Sequence, residues 1–362
     1  MKDLIRVRFV CKWWQEVISD HAFELVESQR SFPVSGFLFQ FKGFYYNDLA
    51  IWNNEDSKTK VITYIPVEGG VRGRQLVLSF LPEDVMIMSS ANGLVCCSSL
   101  FNVRDVSVYV CNPVNEDQVR IEWTESYFHR AEDSISLAFD PSKDIVANTT
   151  SFKLVRLLKF GAARDSSFSF SIYSSHTGTW RSAEERCRCG GTLKETNGTC
   201  VGRILHWLKT DWEILSFDTE NDKAFLIPIP NLDISITKAC IGESNGELHC
   251  ITIAGSILRL WSLEDNINFK WKLELSRSVW ELGEKDFGLN LFVTLNGSSS
   301  QVDLLAYKDG VLLIRVVDKV HLYQLETNIM TEISSIPSMS GSSTERFTVV
   351  PYSLSVVPLK LT

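Results

Sequence analysis

Asn92-Gly93-Leu94-Val95-Cys96-Cys97, Asn245-Gly246-Glu247-Leu248-His249-Cys250 and Asp309-Gly310-Val311-Leu312-Leu313-Ile314 each set a two-residue turn signal directly before an apolar run. Asn-Gly and Asp-Gly favour the left-handed backbone of a tight hairpin, so each stretch reads as a corner entering a buried strand. A fourth dipeptide, Asn197-Gly198, precedes Ile204-Leu205-His206-Trp207-Leu208 in the same way. After each comes a second strand-like run that ends in a polar or charged turn: Tyr109 to Asp117, Ile214 to Lys223, Leu258 to Asn266, and His321 to Asn328. The unit is a hairpin, and it repeats.

Working outward, the interval from Asn92 to Asn197 holds further runs, Ile135 to Phe139, Phe152 to Leu158 and Ile172 to Trp180. Counted as their own unit, they give a period of about 50 residues, the size of a four-stranded propeller blade, and about six blades fit the chain. The expected fold is therefore all-β, a propeller, with an irregular double-sheet sandwich as the alternative that the same hairpins would also serve. Arg346 to Val357 is β-rich and is expected to pair with Phe37 to Phe41, closing the ring and removing exposed sheet edges. Leu81-Pro82-Glu83-Asp84-Val85 reads as a turn ahead of the Asn92 hairpin. The long segments Arg181 to Cys200 and Trp280 to Ser300 are the insertions expected to reach a partner.

Only the first thirty residues carry a helical pattern. Leu4, Ile5, Phe9, Trp13, Val17 and Ile18 gather on one side of a 3.6-residue helix, and Asp20 caps a second short helix, His21 to Glu27. The chain thus divides into a helical head, residues 1–30, and a β domain, residues 31–362. So short a head has no core of its own and must bury its large side chains against something else.

Composition narrows the function. The chain has 362 residues, 44% hydrophobic and 22% charged, which places it in the ordinary globular class. A formal charge of −8 argues against a broad phosphate-binding surface, and hence against a nucleic-acid partner. No apolar run reaches the roughly 20 residues that cross a bilayer, and the opening residues lack a secretory signal, so a cytosolic or nuclear protein is expected. Nine cysteines, with Cys96 and Cys97 adjacent, do not form a disulfide framework. The sequons at Asn148, Asn197 and Asn296 are then chance matches.

Catalytic and metal chemistry find little support. Cys187, Cys189, Cys200 and His206 are possible soft ligands, but their spacing matches none of the usual zinc patterns, and free cysteines that fill space are commoner. The six histidines are scattered and no Gly-x-Ser-x-Gly elbow occurs. His206 and His249 fall inside strand-like runs, where packing is expected. Trp180, Trp207, Trp261 and Trp271 lie near strand ends, as packing between blades or as a recognition patch, with packing preferred. A non-enzymatic binding protein without cofactor or metal is expected, a propeller hydrolase or oxidoreductase being the minority alternative.

Two regions resemble a known family. Asp3 to Phe23, with Val10-Cys11-Lys12-Trp13 and Ile18-Ser19-Asp20-His21-Ala22-Phe23, is similar to the second half of an F-box. Asn92 to Cys96, Tyr109-Val110-Cys111-Asn112-Pro113, Leu137-Ala138-Phe139-Asp140-Pro141, Ile172-Tyr173 to Trp180-Arg181, and Leu205-His206-Trp207 with Ile214 to Asp218 follow in order. Together they resemble the plant F-box proteins with a C-terminal F-box-associated, kelch-like interaction domain. The resemblance implies a substrate-recognition subunit of an SCF-type ubiquitin ligase, with the head docked on a Skp1-like adaptor and the β domain holding the target. The Leu-Pro-x-Asp opening and first helix of a complete F-box have no counterpart before Asp3, so a stand-alone interaction or decoy module is the second reading. Leu4, Val7, Val10, Cys11 and Trp14 are the expected adaptor contacts, because interface hot spots favour Trp and buried aliphatics; a head folded back on the β domain would use Trp14 for packing instead.

Overall fold

The structure is a computed structural model, and it describes residues 33–46, 49–50, 61–68, 74–76, 78–99, 107–122, 134–146, 149–161, 166–195, 197–230, 236–283, 301–333 and 345–359. The helical head, with Leu4, Val7, Val10, Cys11 and Trp14, lies outside the described residues.

Nearly everything described is antiparallel strand. β1 (Gly36–Tyr46), β2 (Leu49–Ala50), β3 (Ile62–Pro66) and β4 (Arg74–Leu76) form one sheet. The next, in strand order, comprises β5 (Val85–Ala91), β6 (Leu94–Ser99), β7 (Ser107–Asn112) and β8 (Asp117–Glu122). The third is built from β9 (Ser134–Ala138), β12 (Lys153–Phe160), β13 (Ser167–Ser174) and β14 (Thr179–Arg188). Between β9 and β12 sit a one-turn helix α1 (Pro141–Asp144) and a small ribbon of β10 (Ile145–Val146) and β11 (Thr149–Thr150). The fourth contains β15 (Thr199–Val201), β16 (Ile204–Leu208), β17 (Glu213–Asp218) and β18 (Lys223–Pro228).

The count of about six separate blades needs correction at the next step. β19 (Ile236–Ser244), β20 (Glu247–Ala254), β21 (Ile257–Asp265) and β22 (Lys270–Ser278) make one meander. β23 (Val302–Lys308), β24 (Val311–Val316), β25 (Lys319–Gln324) and β26 (Ile329–Glu332) make another. β19 and β23 pair in parallel at Gly242↔Tyr307 and Glu243↔Lys308, so these eight strands form one continuous sheet and four blades stand as separate sheets. The physical cause is Gly242: lacking a Cβ, it lets the Tyr307 carbonyl come within bonding range of its backbone.

The last strand, β27 (Glu345–Tyr352), runs antiparallel along β1 with Phe37↔Pro351, Phe39↔Val349 and Phe41↔Phe347 opposite one another. The expected pairing of the C-terminal segment with Phe37 to Phe41 is thus present, and the first and last described strands meet in one sheet. Contacts between innermost strands then run in a closed circuit, from β27 to β5, β9, β15, β19, β23 and back to β27. Buried Gln40 stitches the closing sheet to its neighbour: its Nε2 donates to Val85 O at 2.9 Å and its Oε1 accepts from Ile87 N at 2.8 Å.

The core is a series of clusters between successive meanders. Leu137, Phe139 and Leu154 pack on Leu94, Cys96 and Val110; Phe170 stacks on Phe217; Leu248 and Trp261 pack on Ile214 and Ile227; Leu312 and Tyr323 pack on Ile251 and Leu258. Inner strands such as β6 and β9 are buried along their whole length because both faces meet a neighbouring sheet. The outermost strands are the reverse. β14 exposes Arg181, Glu184, Glu185, Arg186 and Arg188, and β22 exposes Lys270, Lys272 and Glu274, charges that discourage edge-to-edge pairing.

Candidate functional site

The innermost strands all point the same way, so their ends converge on one mouth of the central channel. Corners between first and second strands lie there: Asn92 and Gly93 at φ 46° and 93°, Asn245 and Gly246 at 52° and 78°, Asp309 and Gly310 at 49° and 74°. Successive positive φ values are what a tight hairpin between twisted strands needs, and these three sequence signals therefore act as read. The fourth does not. Asn197-Gly198 lies before β15, and the corner between β15 and β16 is Gly202-Arg203, with Gly202 at φ 59°.

Asn197 and Gly198 serve the channel. Asn197 Nδ2 donates to Val349 O of β27 at 3.1 Å, which carries the side chain across the channel to a strand that is not a neighbour of β15. Gly198 N donates to Ser136 Oγ at 2.9 Å, and buried Trp207 donates its Nε1 to Ser134 Oγ at 2.9 Å. A Cβ at Gly198 would stand 2.7 Å from both Ser136 Oγ and Trp207 Nε1, so only glycine permits this approach. Sequence reading missed this because the partners lie about sixty residues away or more, beyond any local pattern.

Around Asn197 lies a small cavity of about 40 Å³, continuous with solvent and lined by Asn92, Thr199, Glu243, Lys308 and Ser353 among others. Glu243 and Lys308 form an ion pair across the parallel seam, with both side chains largely buried. Asp309 accepts from Val34 N at 2.7 Å, tying the chain preceding β1 to the same mouth, and burial pushes its carboxyl above the usual range. The mouth is polar, with Glu243 and Lys308 paired.

Turns between third and fourth strands share this end of the sheets, and they form a second repeat. Glu116, Gly178, Asp222, Phe269 and Asn328 each adopt positive φ, four residues after Asn112, Ser174, Asp218, Asp265 and Gln324. Asp218 Oδ1 accepts from Glu220 N at 2.8 Å, and Asp265 Oδ1 accepts from Ile267 N at 2.8 Å, so the two acids cap their turns identically. Burial opposes ionisation of Asp218, but donors from Asn221 and Glu220 outweigh it and hold the carboxyl low. Between two sheets, Arg203 binds Asp144 and Glu220 together, while burial raises the Asp144 carboxyl against that attraction.

The remaining candidates fall as follows. His206 is buried with Nδ1 2.8 Å from Ser216 Oγ, and burial pushes its imidazole down to about 3; this Ser–His pair faces no solvent. His249 is buried against Tyr307. Trp207 and Trp261 are buried, Trp180 packs on Tyr173, and Trp271 donates to Pro228 O at 2.9 Å, so these rings join neighbouring strands and sheets. Cys187 and Cys189 face each other while Cys200 donates to Gly202 O, and no group of three or more possible metal ligands forms among the described residues. Leu81 to Asp84 is the expected turn, with Glu83 accepting from Tyr109 OH at 2.6 Å. Arg181 to Cys200 is corrected from an insertion: its first half is edge strand β14, and the rest is the link that delivers Asn197 to the channel. Most of Trp280 to Ser300 lies outside the described residues.

A family model described as F-box protein At3g26010-like, beta-propeller, matches residues 76–349, from the end of β4 into β27. The chain belongs to this F-box protein family. The F-box protein At5g49610 of Arabidopsis thaliana is 26% identical to it over 298 residues, covering 77% of this chain and 75% of that protein. The putative F-box protein At3g16210 of Arabidopsis thaliana is 24% identical over 248 residues, 67% of this chain and 60% of the other's length. Among solved structures, the beta-propeller domain of the Trilobed protease from Pyrococcus furiosus aligns over 78% of each chain with a TM-score of 0.38 and 8% identity. Among the described residues of this F-box protein, no helix is long and apolar enough to cross a membrane.

Proposed function

We propose that this F-box protein is the substrate-recognition subunit of an SCF-type ubiquitin ligase, acting without chemistry of its own in the cytosol or nucleus. Its kelch-like, F-box-associated propeller holds a target protein, and its N-terminal helices dock a Skp1-like adaptor. The observation that carries the reading is membership of an F-box family joined to a closed β ring with two sets of tight turns at one end of its sheets. Loops on a rigid ring are a natural recognition surface, because the scaffold positions them while their sequence varies freely. His206 and Ser216 are sealed from solvent, which favours binding over hydrolysis.

Leu4, Val7, Val10, Cys11 and Trp14 carry the adaptor contact in this reading. Purified full chain should capture a Skp1-like adaptor, and Trp14→Ala or Leu4→Asp should weaken capture at least about tenfold, as for a hot-spot residue, with the melting temperature of the β domain unchanged. Capture that ignores all five positions, or no capture by a folded chain, would replace the ligase reading with that of a stand-alone interaction module.

A further inference from the structure

Cys187 and Cys189 flank the end of edge strand β14, two residues apart and hence on one face of the chain. Their sulfurs lie 3.7 Å apart, with the Cys187 thiol donating to Cys189 Sγ. Beneath them sits Lys209, whose side chain is wholly buried and whose ammonium is held by Asp211 at 3.0 Å and Glu213 at 2.8 Å. Cys187 is partly exposed and Cys189 is buried at 8% beside it, so a small oxidant approaches the pair through Cys187, whereas Cys96, Cys97 and Cys111 are sealed at 0% in the core.

We propose that Cys187 and Cys189 form a peroxide-responsive dithiol site, with Cys189 the attacking sulfur and Cys187 the resolving one. The Cys189 thiolate attacks one peroxide oxygen, the O–O bond breaks, and the departing hydroxide takes a proton to leave as water. The sulfenic acid on Cys189 is then attacked by Cys187, whose thiol proton leaves with the second oxygen as water. Two thiols and one hydrogen peroxide become one disulfide and two waters.

The electrostatics agree with that division of labour. The hydrogen bond from Cys187 and the Lys209 charge lower the Cys189 thiol to about 7, against opposition from burial and from Asp211 and Glu213. The same bond pushes the Cys187 thiol up, together with burial. A thiolate that accepts a thiol's hydrogen bond beside an ammonium is an environment in which cysteines react. By contrast, burial drives the Cys96 and Cys250 thiols up and leaves them inert.

The start of the link that follows, Cys189 to Gly191, is tightly built. Ser166 Oγ donates to Cys189 O at 3.0 Å, and a Cβ on Gly191 would lie 2.7 Å from the Asp211 carboxylate. Drawing the two sulfurs together therefore moves the start of the segment that places Asn197 in the channel.

Reduced full-length protein, treated with equimolar hydrogen peroxide and then alkylated, tests this by peptide mass spectrometry. Trypsin cleaves at Arg188, between the two cysteines, so the expected disulfide holds two peptides together until a reductant parts them. In Cys187→Ser, Cys189 should accumulate a sulfenic acid trapped by dimedone; in Cys189→Ser, Cys187 should stay alkylatable at least about tenfold longer, since it lacks thiolate character. Alkylation of Cys189 should rise with pH around a midpoint of about 7. Both thiols surviving peroxide as long as Cys97 and Cys111, a Cys189–Cys200 disulfide, or a Cys189→Ser variant in which Cys187 oxidises as fast as in the parent would each overturn the proposal.

Discussion

The ring has two unusual joints, and they are made very differently. At the closure, β27 pairs along β1 from Gly36↔Tyr352 to Phe44↔Glu345, and the tail beyond it is tied down as well. Asn112 Nδ2 donates to Ser355 O at 3.1 Å and to Val357 O at 2.8 Å, and Leu359 N donates to Asp117 Oδ2 at 3.0 Å. At the β19–β23 seam only Gly242↔Tyr307 and Glu243↔Lys308 pair, supported by two ion pairs, Glu243–Lys308 and Lys238–Asp303. The closure must hold together two distant ends of a chain, so loop entropy opposes it and many bonds are recruited. The seam joins meanders already adjacent in sequence, and a short parallel contact made possible by Gly242 is enough.

This contrast can be broken from the closure side first. Deleting Thr348–Thr362 removes most of β27 and its tail, leaving β1 and the buried face of Phe37, Leu38 and Phe39 uncovered. Cooperative unfolding of the whole β domain should be lost or shifted far down in temperature. A truncated chain melting like the parent would show that the closure is dispensable.

The seam comes next. A Cβ at Gly242 would lie 2.1 Å from the Tyr307 carbonyl oxygen, so Gly242→Val forces β19 and β23 apart and should cost about 3 kcal/mol. Denaturant unfolding measures it. The tail's own ties are smaller: Asn112→Ala strips the buried Ser355 carbonyl of its donor and leaves Val357 O to Asn115 Nδ2, at about 2 kcal/mol. The smallest comparison uses two identical turns. Gly93→Ala places a Cβ 2.2 Å from Ser355 Cβ under the tail, while Gly246→Ala meets open space. Both suffer from positive φ, worth about 1 kcal/mol, and only Gly93→Ala should exceed that clearly. Equal losses at the two sites would mean that the tail does not press on the Asn92 corner.

How far the sequence could be read follows from the range of each signal. The closing pair was legible because two strong β runs stood at opposite ends of a repeating chain. Asn92, Asn245 and Asp309 were legible because a tight hairpin constrains only its own backbone. Asn197-Gly198 misled for the same reason: its dipeptide is identical, but Trp207, Ser136 and Val349 decide its role from a distance. The turns ending at Glu116, Gly178, Asp222, Phe269 and Asn328 share a backbone shape yet open on Asn, Ser, Asp, Asp and Gln, so no residue pattern marks the repeat. β14 looked like an insertion because this outermost strand is as charged as a loop. Buried Lys209 and Gln40 carry no local signature at all, since polar core residues are fixed by partners that the fold supplies.

Native-state hydrogen exchange at the closure tests the account most directly. The β1 amides of Leu38 and Phe39 and the β27 amides of Val349 and Val350 should exchange together, as slowly as those of inner strand β6, with the free energy of global unfolding. Exchange of β27 and β1 well ahead of β6 would mean that the ring stands open at the joint on which its closure depends.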